Sequence, residues 1–271
     1  MSFGIEIWGK PAAELAIHEG LDRTVPPLTR AYRWLRANRR RAVVLGTPGV
    51  GKTVLVDHLA STGLKLGYRG PGQSHKVEEK KTALGDLRLK TVTVMGQPSS
   101  NRNDALRKWR GKRVHGVIQV MANGYRTPRS AVEVDSAMRE AGSIGQYLRN
   151  QREGEVRAFV GDFDFYRDLF RLHRTQWVLV AVTKADLYWD SRDEAAAFYD
   201  LNGASSFAVA VKNLKAHLGT DNVTLNVVPV SARLETLVLA EHTFKPQFDS
   251  DTRDGFLLEF YRVLQEFGEM Q

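Results

Sequence analysis

One run of the chain, Gly46-Thr47-Pro48-Gly49-Val50-Gly51-Lys52-Thr53, has the residue types and the spacing to hold phosphate. Glycines at 46, 49 and 51 let the backbone curl so that successive N–H groups point into one concavity. An apolar run at 42–45 precedes them and a helix-like segment at 54–60 follows, so the positive end of a new helix faces the same anion. Lys52 brings a full charge to the β- and γ-phosphates, and the Thr53 hydroxyl is placed to ligate Mg2+. This strand–GxxxxGK[ST]–helix arrangement implies a bound nucleoside triphosphate.

Other chemistry finds little support. The 7 histidines show no pair at metal-ligand spacing, and neither H-E-x-x-H nor G-x-S-x-G occurs. Asp162 and Asp164 read as solvated or capping residues, not as metal ligands. With no cysteine there are no disulfides and no thiol chemistry. The longest clean apolar stretch, 177–182, is far too short to span a bilayer. Residues 1–6 lack the basic flank and apolar core of a secretion signal, so the expected compartment is the cytoplasm. A net charge of +8 permits contact with acidic partners, nucleic acid or a membrane surface and requires none of them.

Strand and helix patterns alternate after residue 41, which predicts an α/β domain with a largely parallel sheet covered on both faces. Strands are expected at 42–45, 114–121, 177–182 and 225–230. Segments 76–84 and 87–95 predict a hairpin turned by Gly85-Asp86. Helices are expected from the phosphate loop to about residue 65 and over 131–152, 165–173, about 192–218 and 253–267, with loops at 67–74 and 154–164. Asp249, Asp251 and Asp254 at the entry of the last helix read as capping. Residues 1–41 form an N-terminal extension with a helix at about 27–38, ending in a basic cluster from Arg30 to Arg41. In open α/β sheets ligands sit at the carboxyl ends of strands. Three stretches fall at such ends: 46–53, 183–186 and 231–233.

The set Gly46–Thr53, Gly96-Gln97, Thr183-Lys184-Ala185-Asp186 and Ser231-Ala232, in that order, resembles the G-motifs of Ras-like small GTPases over about residues 42–268. The resemblance implies a P-loop NTPase-type three-layer α/β/α domain, mostly parallel with one antiparallel strand. It also implies bound GTP or GDP with Mg2+. Asp186 would accept both guanine edge N–H groups, a bidentate pairing that adenine cannot offer. Lys184 would lay its stem across the base, and the Ala232 N–H would meet the guanine carbonyl. Gln97 would orient the attacking water and the Gly96 N–H would sense the γ-phosphate; with Lys52 these form the hydrolytic set. Thr53 would ligate Mg2+ together with Ser74, or with Thr82 as the alternative. Arg69, in the same loop, reads as solvated. The run Thr93-Val94-Met95-Gly96-Gln97 carries Thr where these GTPases usually carry Asp, and so looks like the bacterial small GTPases of gliding motility and cell polarity. A neutral hydroxyl there holds a metal-bound water without supplying charge.

The expected organisation is an extension at 1–41 and a G domain at 42–271, enlarged at about 124–174 and 187–222. The expected function is a switch that hydrolyses GTP to GDP and phosphate slowly without a partner, working with an effector and an activating protein. Two alternatives stay open. Thr93 and Pro48 suit a nucleotide-binding interaction module with little or no hydrolysis. The basic cluster at 30–41 and the basic run at 102–113 suit a GTPase acting on RNA.

Overall fold

The computed structural model describes residues 40–59, 78–84, 87–93, 113–173, 175–219 and 223–269. Six strands form one sheet: β1 (Arg40–Leu45), β2 (Glu78–Leu84), β3 (Leu87–Thr93), β4 (Gly116–Met121), β5 (Trp177–Val182) and β6 (Thr224–Pro229). Their spatial order is β2–β3–β1–β4–β5–β6, with β2 antiparallel to β3 and every other pair parallel. Side chains alternate between faces along a strand, yet every residue of β4 and β5 is buried. Both faces of the sheet are therefore covered, which is why these strands read as unbroken apolar runs.

The helices are α1 (Lys52–Leu59), α2 (Ala131–Ala141), α3 (Ile144–Gly161), α4 (Phe163–His173), α5 (Arg192–Tyr199), α6 (Ser206–Leu218) and α7 (Ser250–Glu269). The core joins the sheet to Phe159, Tyr166, Phe207, Phe256 and Phe260. At the edge opposite the phosphate loop, Trp177 stacks on Phe267 of α7, ring centroids 5.3 Å apart. Gly116 faces Trp177 in the β4–β5 register, and a Cβ there would lie 2.0 Å from the indole ring. Only glycine leaves room for that stack.

Several expected boundaries shift. The helix expected over 131–152 is two helices, because Gly142 adopts φ 72 as the left-handed cap of α2 and the Ser143 hydroxyl then accepts from Gln146 N to start α3. The loop expected over 154–164 is largely helical, since α3 runs on to Gly161 and buries Glu155, Val156 and Phe159. The helix expected over 192–218 breaks at 200–205, and the Ser205 hydroxyl caps α6 by accepting from Ala208 N. Helix α7 begins at Ser250, where Asp249 Oδ1 accepts from Thr252 N at 2.9 Å. A hairpin absent from the expectation, β7 (Leu237–Leu239) and β8 (His242–Phe244), packs Leu237 and Leu239 with Val134, Tyr147 and Leu187 into a second small core. Among the described residues no helix is long and apolar enough to cross a membrane. The helix at 27–38, the loop at 67–74, the end of the first helix beyond residue 59 and the basic run at 102–112 lie outside the described residues.

Candidate nucleotide site

Because β1, β4, β5 and β6 run parallel, the segments that follow them emerge at one edge of the sheet. After β1 comes the phosphate loop. Gly46 has φ 139 and Gly49 φ 78; a Cβ would sit 2.3 Å from Val120 O at the first and 2.2 Å from Thr127 O at the second. Both positions exclude any side chain. Val50 is buried beneath the loop, and Leu55 N donates to Gly51 O at 3.0 Å as α1 begins. Lys52 Nζ donates to Gly46 O at 2.8 Å and Thr47 O at 2.7 Å, so its ammonium is drawn over the loop. Thr53 lies half-buried in the first turn of α1, and Thr47 Oγ1 is buried with no hydrogen-bond partner among the described residues.

After β5, Thr183 Oγ1 lies 2.6 Å from Val50 O and 3.0 Å from Met121 O, fastening this strand end to the phosphate loop and to β4. Lys184 takes a left-handed conformation, φ 59, and its Nζ donates to Tyr125 O and Thr127 Oγ1, each at 2.7 Å. Burial lowers its pKa to about 8, with Glu155 the largest opposing influence. Asp186 is buried, and its Oδ1 accepts from Ser231 Oγ at 2.5 Å across the β5–β6 gap. Its Oδ2 is buried with no partner among the described residues. Burial raises this carboxyl to about 6 against the pull of the Ser231 hydrogen bond. Ala232, next to Ser231, is also buried.

The segment after β4, expected only as the start of an enlarged surface region, joins these pieces. Thr127 N donates to Gly49 O at 3.0 Å, and Arg126 Nε donates to Pro48 O at 3.1 Å. Glu155 of α3 is buried and accepts from Ala122 N at 2.8 Å and Gly124 N at 3.2 Å. Burial moves its carboxyl up to about 7, with the Ala122 N–H the largest opposing influence. A signal existed for Glu155, a carboxylate on the helix face that also carries Val156 and Phe159. None existed for Arg126, which is one loop arginine among many.

The structure thus brings 46–53, 183–186 and 231–232 to one edge. Ser74, Gly96 and Gln97 lie outside the described residues, and of Thr82 and Thr93 only the backbone is described, in β2 and at the end of β3. The residues present fit a nucleotide. Glycines at 46 and 49 let the phosphate loop pack against Val120 O and Thr127 O, where a Cβ would clash, and Asp186 Oδ2 is an acceptor held out of water with no donor among the described residues.

A sheet of this order, with a phosphate loop joining β1 to α1, decides the fold. It is a P-loop α/β fold. No protein-family model and no curated protein matches the chain. Solved structures similar to it include the mammalian SRP receptor, at 15% identity and TM-score 0.48 over 84% of this chain and 100% of that one. Toc33 from Arabidopsis thaliana in complex with GDP and Mg2+ is similar at 12% identity and TM-score 0.45 over 89% of each chain. The G domain of the T. maritima FeoB iron transporter is similar at 16% identity and TM-score 0.39 over 85% of this chain and 99% of that one.

Proposed function

We propose that the chain binds a guanine nucleotide and hydrolyses GTP to GDP and phosphate, acting as a molecular switch. The observation that carries the reading is Asp186. Its buried Oδ2 has no donor among the described residues, and the carboxylate stands at the same sheet edge as the phosphate loop. A guanine edge presents two N–H groups to such a carboxylate, and an adenine edge does not. Lys52 and the loop amides would hold the phosphates, and Lys184 and Ala232 would flank the base. Thr53 and Ser74 would hold Mg2+, which when bound neutralises phosphate charge. Gly96 and Gln97 complete the proposed site. The proposed G domain spans 42–271, with 1–41 as an extension and the segments at 124–174 and 187–222 as added surface for an effector or activating protein. The finer resemblance to gliding-motility and polarity GTPases rests on the run 93–97 and belongs to this reading.

Titration of the purified chain with GDP and ADP tests it, with phosphate released from GTP followed in the same preparation. Preference for the guanine nucleotide with slow phosphate release supports the switch. Equal affinity for the two bases overturns it, and tight GTP binding without phosphate release leaves a nucleotide-binding interaction module.

A further inference from the structure

Among the described residues, five arginines pair with carboxylates. Arg152 pairs with Glu194, Arg167 with Asp164, Arg233 with Glu235, Arg253 with Asp254 and Arg262 with Glu259. Arg126 is held differently. Its Nε donates to Pro48 O and its Nη1 to Gln151 Oε1, each at 3.1 Å, and both acceptors are uncharged. Nη2 has no partner among the described residues. Glu155 feels the guanidinium charge, yet its two oxygens are taken by Ala122 N and Gly124 N. A half-buried guanidinium therefore keeps its full charge beside the phosphate loop.

Its position is also fixed. The neighbouring Thr127 N donates to Gly49 O, and a Cβ at Gly49 would lie 2.2 Å from Thr127 O, so residues 126–127 lie directly against residues 48–49. Gln151 braces the same guanidinium from α3. The guanidinium is half-buried and Nη2 is not sealed from water, so a ligand anion at this loop can take the place of solvent on it. The ligand expected at this loop is an anion, and a triphosphate carries more negative charge than a diphosphate.

We propose that Arg126 is a cation supplied in cis to the phosphate loop, anchored on the Pro48 carbonyl and favouring a triphosphate over a diphosphate. The inference rests on the nucleotide reading given above. It assigns to this chain's own β4–α2 segment a charge that other phosphoryl-transfer proteins take from a partner. Lys52 enters the loop from α1 and Arg126 meets it from the other side in sequence, so the two cations act on the loop from separate elements.

The test measures the affinities of wild type, Arg126→Gln and Arg126→Lys for GDP and for a non-hydrolysable GTP analogue at fixed salt. Glutamine keeps a donor for Pro48 O without charge; lysine keeps charge without the planar fork. The expected result is that Arg126→Gln binds GDP within about threefold of wild type and loses about tenfold in its preference for the triphosphate, the scale of one hydrogen bond to a charged group. Arg126→Lys should restore most of that preference. An unchanged preference in Arg126→Gln overturns the proposal, because a neutral donor then suffices. Equal losses for both nucleotides in both variants also overturn it, because Arg126 is then only a strut of the loop. Failure of the wild type to bind either nucleotide overturns the nucleotide reading itself, and this inference with it.

Discussion

Glu155 is the sharpest place to perturb the site from a distance. Its carboxyl is buried in α3 and accepts the N–H groups of Ala122 and Gly124, which shape the segment touching both the phosphate loop and Lys184. Burial moves it from its ordinary 4.5 to about 7. At 1.36 kcal/mol per pH unit, the folded chain binds this proton about 3 kcal/mol more tightly than the unfolded chain does. The sign follows from proton counting. Below pH 4.5 both states hold the proton and the residue has no effect. Between 4.5 and about 7 the folded state holds more protons, so stability falls as pH rises, and above that range the loss is complete. Glu155→Gln fixes the neutral form. In urea denaturation, the difference in stability between wild type and Glu155→Gln should therefore move by about 2–3 kcal/mol in favour of the variant from pH 5 to pH 8. Taking the difference removes titrations common to both proteins, that of Asp186 among them, whereas Lys184, whose charge Glu155 supports, titrates together with this residue. Parallel pH dependence of the two proteins would refute the reasoning, because Glu155 would then not titrate differently on folding.

Two further substitutions probe the two ends of the sheet. Gly116→Ala puts a methyl group 2.0 Å from the Trp177 ring and must displace the stack on Phe267, so about 1–3 kcal/mol of stability should be lost in chemical denaturation; an unchanged midpoint would mean that the ring moves freely. Thr183→Val keeps shape but removes the hydroxyl 2.6 Å from Val50 O, and should cost about 1–3 kcal/mol while weakening GDP binding; unaltered stability and affinity would show that this tie is not needed.

Much of the fold was legible in sequence because burial on both faces leaves a plain mark. The runs in β4 and β5 are apolar at nearly every position, and the glycines of the phosphate loop stand where a Cβ would strike Val120 O or Thr127 O. The hairpin β7–β8 left no such mark. Its strands are three residues each, and its turn uses Ala240 at φ 52 instead of a glycine or asparagine. The sequence predicts a loop over 154–164, but the burial of Val156 and Phe159 outweighs the roughly 1 kcal/mol that a helical glycine costs. Arg126 left no mark, and the apolar helix face marks Glu155 as buried without showing what it holds. Their roles depend on contacts with Pro48, Gln151, Ala122 and Gly124, tertiary partners that no local spacing encodes. Asp186 could be read, but its physical importance lies in tertiary placement, one oxygen on Ser231 and the other with no donor among the described residues.

Calorimetric titration of GDP and ADP into wild type and Asp186→Ala tests the central claim most directly. Wild type should prefer GDP by at least about a hundredfold, and Asp186→Ala should lose most of that preference while phosphate-loop contacts keep residual binding to both. Equal affinity of wild type for GDP and ADP, or a preference that survives Asp186→Ala, would contradict it.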